Sequence, residues 1–211
     1  VSFERLGIIG GGAWGTALAQ VGASEGRPVL LWALEPDVVQ SINDRRENTL
    51  YLPGQPLDPS IRATADLAEL GECDALLVVT PAQHMRRVLG SAPQTGKPLI
   101  LCSKGIEERS GSLLHRVAAD ACPDTPIAVL SGPTFAHEVA AGLPTAVTLA
   151  AEDAALGTAL RDRLARPTFR IYLSDDVAGA EIGGAVKNVL AIACGVVDGK
   201  GLGKNARAAL I

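Results

Sequence analysis

The run Gly10-Gly11-Gly12-Ala13-Trp14-Gly15 has the residue types and the spacing needed to hold a pyrophosphate. In this GxGxxG pattern Gly10 permits a tight turn. Gly12 removes the side chain where the backbone must approach a phosphate, and Gly15 lets a helix lie close to a strand. A helix opening there points its free N–H groups and the positive end of its dipole at the anion. Glu35 stands 20 residues beyond Gly15. A carboxylate at that place accepts hydrogen bonds from an adenosine ribose 2′-hydroxyl and repels a 2′-phosphate. Its neighbours Ala33, Leu34, Pro36 and Asp37 supply no arginine, so the pattern favours NAD(H) over NADP(H); a solvated loop acid is the plainer alternative. Lys104 follows the apolar run 99–103 and precedes Gly105. That places it at a strand's carboxyl end, where ligands gather in open α/β sheets.

Metal chemistry has no such basis. His84, His115 and His137 form neither HxxxH nor HExxH, and Cys73, Cys102, Cys122 and Cys194 contain no CxxC pair. The histidines are expected as solvated helix residues and the cysteines as buried, reduced thiols. Lys200 and Lys204 are expected in a solvated turn.

These groups need a frame to hold them. Apolar runs suited to buried strands fall at 5–10, 29–33, 61–64, 75–80, 99–103, 127–131, 145–150 and 169–173. Helical patterns lie between most of them, at 12–25, 37–46, 83–89, 112–121, 135–141 and 154–165. Such alternation predicts an α/β fold: a Rossmann-type, mostly parallel sheet flanked by helices. Residues 48–60 read as a loop, punctuated by Pro53, Gly54, Pro56 and Pro59. From 177 to 197 there is no further strand signal, and a helix is expected. Gly183, Gly184 and Gly195 each weaken it by roughly 1 kcal/mol relative to alanine. Either the helix breaks at these glycines or another backbone or a ligand comes close. The division that follows is a dinucleotide-binding domain over 1–175 and the start of an all-α second domain over 176–211. Because the sequence stops on Ala-Ala-Leu-Ile within a helical pattern, a C-terminally truncated chain is expected.

An apolar content of 47% excludes an intrinsically disordered chain. With 19 basic against 23 acidic residues, a net charge of −4 and no basic stripe, nucleic-acid binding is not expected. The greasiest stretches, 75–79 and 189–197, fall short of the roughly 20 residues a bilayer core needs, so no membrane span is expected. Reduced cysteines and the lack of a signal-peptide pattern before the first strand point to the cytoplasm.

Four blocks, GGGAWGTALA at 10–19, SKGIE at 103–107, SGPTFAHEV at 131–139 and the stretch 181–211, together resemble NAD(P)-dependent glycerol-3-phosphate dehydrogenase, in that family's order and rough spacing. The resemblance implies an oxidoreductase that interconverts sn-glycerol 3-phosphate and dihydroxyacetone phosphate by hydride transfer with NAD(P)(H), supplying glycerol 3-phosphate for glycerophospholipid synthesis. It leaves NADP(H) open beside NAD(H). It makes Lys187 the catalytic acid–base and a substrate contact, and Lys104 a contact to both substrate and cofactor. Gly132 and Thr134 become substrate-binding residues, the family commonly having serine where Thr134 stands. Ala13, Trp14 and Ala136 join Gly10, Gly12, Gly15 and Glu35 as cofactor contacts. A lysine in the acid–base role needs its pKa brought below roughly 10.4, through burial or a nearby cation such as Lys104. The resemblance further implies a small phosphorylated triose or polyol as substrate, a homodimer at full length, and an aspartate and an Arg-Asn pair beyond residue 211. Two alternatives stay open. One is a related 3-hydroxy-acid or sugar-acid dehydrogenase with a lysine on the same helix. The other is a non-catalytic, redox-sensing NAD-binding module, which needs neither Lys104 nor Lys187.

Overall fold

A computed structural model describes residues 3–211. Its strands are the short apolar runs: β1 (Leu6–Ile9), β2 (Val29–Trp32), β3 (Ile61–Thr64), β4 (Ala75–Val78), β5 (Leu99–Leu101), β6 (Ile127–Ser131), β7 (Thr145–Ala150) and β8 (Phe169–Ser174). They form one eight-stranded sheet in the order β3-β2-β1-β4-β5-β6-β7-β8. Every pairing is parallel except β6 with β7, where Val129 faces Ala150. The sheet is covered on both faces by α1 (Ala13–Gly22), α2 (Pro36–Arg45), α3 (Met85–Ser91), α4 (Leu114–Ala121), α5 (Ala136–Ala140) and α6 (Ala154–Leu164). Because successive side chains of a strand point to opposite faces, Leu6, Ile8 and Leu77 enter one core with Leu18, while Ile9, Leu76 and Val78 enter the other with Met85 and Leu89. This is the expected Rossmann-type architecture. The strand order reverses at β1 and β4, and ligands of such sheets sit in the crevice there.

Several local expectations change. The helix predicted over 12–25 ends at Gly22; a 3₁₀ turn, Ser24–Gly26, follows and closes on Gly26 with φ 71°. An unforeseen 3₁₀ segment, Leu67–Glu72, is capped by Asp66, whose carboxylate accepts from the Ala68 amide. Cys73, Cys102 and Cys122 are buried and free, and Cys194 is half-buried. Burial pushes the Cys73 thiol up to about 11. His115 corrects its expectation as a solvated residue: its ring is held by Glu181, with Nδ1 2.7 Å from Oε2. Arg163 is buried within α6 and donates to the carbonyls of Phe3 at 2.6 Å, Gly22 at 2.8 Å and Glu4 at 3.3 Å, tying the chain's start to this helix.

Beyond the sheet, α7 (Val177–Gly199) runs 23 residues without a break, followed by α8 (Gly203–Leu210). Of the two alternatives for its glycines, Gly184 takes the close approach. A Cβ there would stand 3.0 Å from Ser131 Oγ and 3.5 Å from Lys104 Cγ, whereas Gly183 and Gly195 face open space. Only Val177, Glu181 and Val197 of α7 are buried. By length and composition α7 could cross a membrane, which the shorter stretches read from sequence did not suggest, but one such helix is weak support for a span.

Candidate active site

The glycine loop closes between β1 and α1. Gly10 adopts φ +127°, a conformation L side chains rarely take, and a Cβ on it would press on the Val79 carbonyl. A Cβ at Gly15 would collide with the carbonyl oxygen of Gly10. Gly12 stands at the N-cap of α1 with no side-chain cap, and nothing lies within 4 Å of where its Cβ would be. The first-turn amides therefore face open space at the positive end of a ten-residue helix.

A residue hidden in the turn-rich loop fixes this arrangement. Asn48 is fully buried. Its side-chain amide donates to the Gly11 carbonyl and to Thr16 Oγ1, each at 2.8 Å, and its Oδ1 accepts from the Tyr51 amide at 3.1 Å. Tyr51 in turn donates its hydroxyl to Glu35 Oε1 at 2.9 Å, and the neighbouring carboxylate holds the phenol above its ordinary pKa. Glu35 sits at the N-cap of α2. Only the long-range pairing reveals Asn48 and Tyr51; the sequence shows no more than a polar residue among turn formers.

Gly10, Gly12, Ala13, Trp14, Glu35, Lys104, Thr134 and Ala136 line one cleft of about 780 Å³, together with Tyr51, Thr80 and Arg87. Gly15 lies behind it, supporting the loop. Buried Thr80 contributes a hydroxyl with no partner among the described residues. An open Gly12, uncapped helix amides and an orphaned hydroxyl in one cleft fit a dinucleotide.

A second cavity, about 410 Å³, is lined by Lys187 with Gly132, Ser131, Asp176, Gly183 and Gly184. The two expected substrate residues are thus divided: Gly132 shares this cavity with Lys187, while Thr134 lies in the large cleft. Lys104 joins the two. It lines the large cleft, donates to the Gly132 carbonyl at 3.3 Å, and has its ammonium 6.0 Å from the centre of the Trp14 ring. Burial, with Lys187 as a second positive charge, lowers its pKa below the ordinary lysine value.

The loop carrying Lys104 is pinned at its far end. Arg86 grips both oxygens of Glu107, at 2.9 and 3.0 Å, and also reaches Asp120. The guanidinium, with the Ser110 hydroxyl, holds the Glu107 carboxyl down to about 2. An ordinary carboxyl titrates at roughly 4.3 in the unfolded chain. The folded value is the lower one, so this stabilisation is complete above about 4.3 and fades as pH falls through 2. The Glu107→Gln variant should therefore show a larger deficit in its urea midpoint at pH 7 than at pH 3. Equal deficits at both would show that the clamp is not the source.

Fold and clefts define a Rossmann-type chain whose glycine loop opens an uncapped helix onto the larger cleft. A family model described as the NAD-dependent glycerol-3-phosphate dehydrogenase N-terminus matches residues 5–157, and its C-terminal counterpart matches 176–211. The chain belongs to the NAD-dependent glycerol-3-phosphate dehydrogenase family. It is 62% identical over 98% of its length to the glycerol-3-phosphate dehydrogenase, NAD(P)+, of Erythrobacter litoralis, and 59% identical over 100% to that of Caulobacter vibrioides. It spans 63% and 65% of those proteins. The crystal structure of the Coxiella burnetii glycerol-3-phosphate dehydrogenase matches 99% of this chain at 40% identity with a TM-score of 0.88, over 65% of that chain. A GDP-mannose dehydrogenase, 14% identical with a TM-score of 0.72, shares the fold alone.

Proposed function

We propose that this chain carries the cofactor site and the acid–base lysine of an oxidoreductase interconverting sn-glycerol 3-phosphate and dihydroxyacetone phosphate. The reading rests on one juxtaposition: Lys187 on the wall of the smaller cavity, with Lys104 bridging to the glycine-loop cleft. A nicotinamide cofactor bound in the large cleft supplies the hydride. The Lys187 ammonium gives its proton to the ketone oxygen as that oxygen gains charge, and is left as the neutral amine; in reverse the amine takes the hydroxyl proton. Lys104 adds a second cation where negative charge develops. Gly132 packs tightly against Val147 and holds Lys104 through its carbonyl beside the smaller cavity, and the Thr134 hydroxyl offers a hydrogen bond from the large cleft. The sheet domain over 1–175 and the helical segment over 176–211 divide these duties, in line with the two matched family segments. In a cytoplasmic setting the product would feed glycerophospholipid synthesis, and the full-length protein would act as a homodimer.

NAD(H) is the favoured cofactor. Tyr51 occupies one oxygen of Glu35 and leaves the other for a ribose hydroxyl. Arg87, lining the same cleft without an ion pair among the described residues, keeps NADP(H) in reach. The test is oxidation of NADH on addition of dihydroxyacetone phosphate; oxidation driven instead by 3-keto acids would replace the substrate assignment. NADH should bind more tightly than NADPH. Glu35→Ala should weaken NADH by about tenfold or more, the worth of a hydrogen bond to a charged group. Tighter binding of NADPH by the unaltered protein would overturn the role given to Glu35.

A further inference from the structure

The fourth helix has no capping side chain of its own, because Leu113 stands at its N-cap. A carboxylate from another part of the chain takes that place. The amide of His115, in the first turn, donates to Glu181 Oε1 at 2.8 Å, and the ring nitrogen Nδ1 lies 2.7 Å from Oε2. A carboxylate here satisfies an orphan N–H and sits at the positive end of the helix dipole. Glu181 belongs to α7, and its side chain is only 2% exposed. With one oxygen held by the backbone and the other by the ring, the carboxylate cannot swing about either contact.

The other contacts that restrain α7 against the sheet are apolar, close-packed or at its N-terminus. Val177 and Ala180 enter the apolar core at its start, and the Asp176 carboxylate caps it through the Gly179 amide at 2.7 Å. Gly184 then passes close to Ser131 and Lys104. Glu181 is the last buried residue before Lys187. From Glu181 to Lys187 the helix is continuous and rises about 9 Å, at 1.5 Å per residue. A rotation at Glu181 is therefore passed to Lys187 through the helix's own hydrogen bonds.

We propose that Glu181 is the positioning residue for Lys187. By capping α4 it fixes the rotation of α7 about its own axis, so that Lys187 faces Lys104 and the smaller cavity. The kinetic consequence rests on the acid–base reading of Lys187; the geometric consequence does not.

The test is therefore made in two arms. In the first, competitive amine acylation across a pH series, read by mass spectrometry, follows the titration of Lys104 in the 211-residue chain. Glu181→Ala lets α7 turn and uncovers Lys104, so its midpoint should move toward the ordinary lysine value by about half a pH unit or more. Glu181→Gln still accepts from the His115 amide and should stay near the parent. His115→Ala keeps that amide but loses the ring and should fall between them; it carries the test should Glu181→Ala fail to fold by circular dichroism. In the second arm, made on the full-length protein, dihydroxyacetone phosphate-dependent turnover should drop about tenfold in Glu181→Ala, while NADH affinity is unchanged. An unmoved Lys104 midpoint in folded Glu181→Ala, or equal losses of turnover and NADH affinity, would overturn the proposal. Absence of turnover in the unaltered full-length protein would count against the proposed reaction, and the acylation arm would still decide the role of Glu181.

Discussion

Replacing Lys187 with alanine is expected to lower turnover by about 10²–10⁴-fold, the usual worth of a positioned general acid. NADH binding should survive, because Lys187 lines the smaller cavity and the glycine loop lines the larger one. Lys187→Arg separates charge from proton transfer. A guanidinium keeps the positive charge but does not give up its proton in proteins. This variant should recover part of any loss in substrate affinity while turnover stays low. Pre-steady-state NADH oxidation, with cofactor affinity measured separately by fluorescence, distinguishes the two effects. Full turnover in Lys187→Ala would end the acid–base assignment.

The second large effect is expected at Gly15. A valine there has no room, since even its Cβ would overlap the Gly10 carbonyl oxygen. The helix must lift from the strand or the turn must open, and either shift moves the Ala13 and Trp14 amides away from the anion position. Overpacking of this kind costs about 1–3 kcal/mol, which for a chain of this size lowers the melting temperature by about 2–12 °C. NADH affinity should fall by well over tenfold, since the phosphate-facing amides lose their alignment. Gly12→Ala provides the contrast. Its Cβ meets nothing in the structure, so the melting temperature should hold while NADH affinity falls. A Gly15→Val protein that melts and binds like its parent would refute the close-packing role.

The glycine loop and the strands were legible because their signals are local. Each of β1 to β8 is a short apolar run, and the six helices that cover the sheet lie within a few residues of their expected places. Gly10, Gly12 and Gly15 reveal themselves by spacing. For Lys104 and Lys187, spacing gives only the strand end at Lys104, and the roles proposed for both come from resemblance in the surrounding blocks. Groups that act by pairing over long stretches of chain remained hidden. Asn48 reaches 37 residues back to the glycine loop, and Glu181 reaches 66 residues back to His115. Neither leaves a periodic trace, and each is a polar residue whose burial depends on a partner that only folding supplies. The fate of α7 shows the same limit. Three glycines argued for a break or a close approach, and only the packing of Gly184 on Ser131 and Lys104 selects between them.

The buried guanidinium of Arg163 bears on how the chain matures as it leaves the ribosome. Its grip on the Phe3 carbonyl spans 160 residues, so the first strand emerges long before its clamp. At a synthesis rate of roughly 5–20 residues per second, the wait is about 8–30 s. During that interval the opening segment is held by α1, β2 and β4 as they arrive, and by Arg5, which pairs with Glu72 and Asp74. This lock on the sheet is therefore set late in translation, with only β8 of the eight strands still to come.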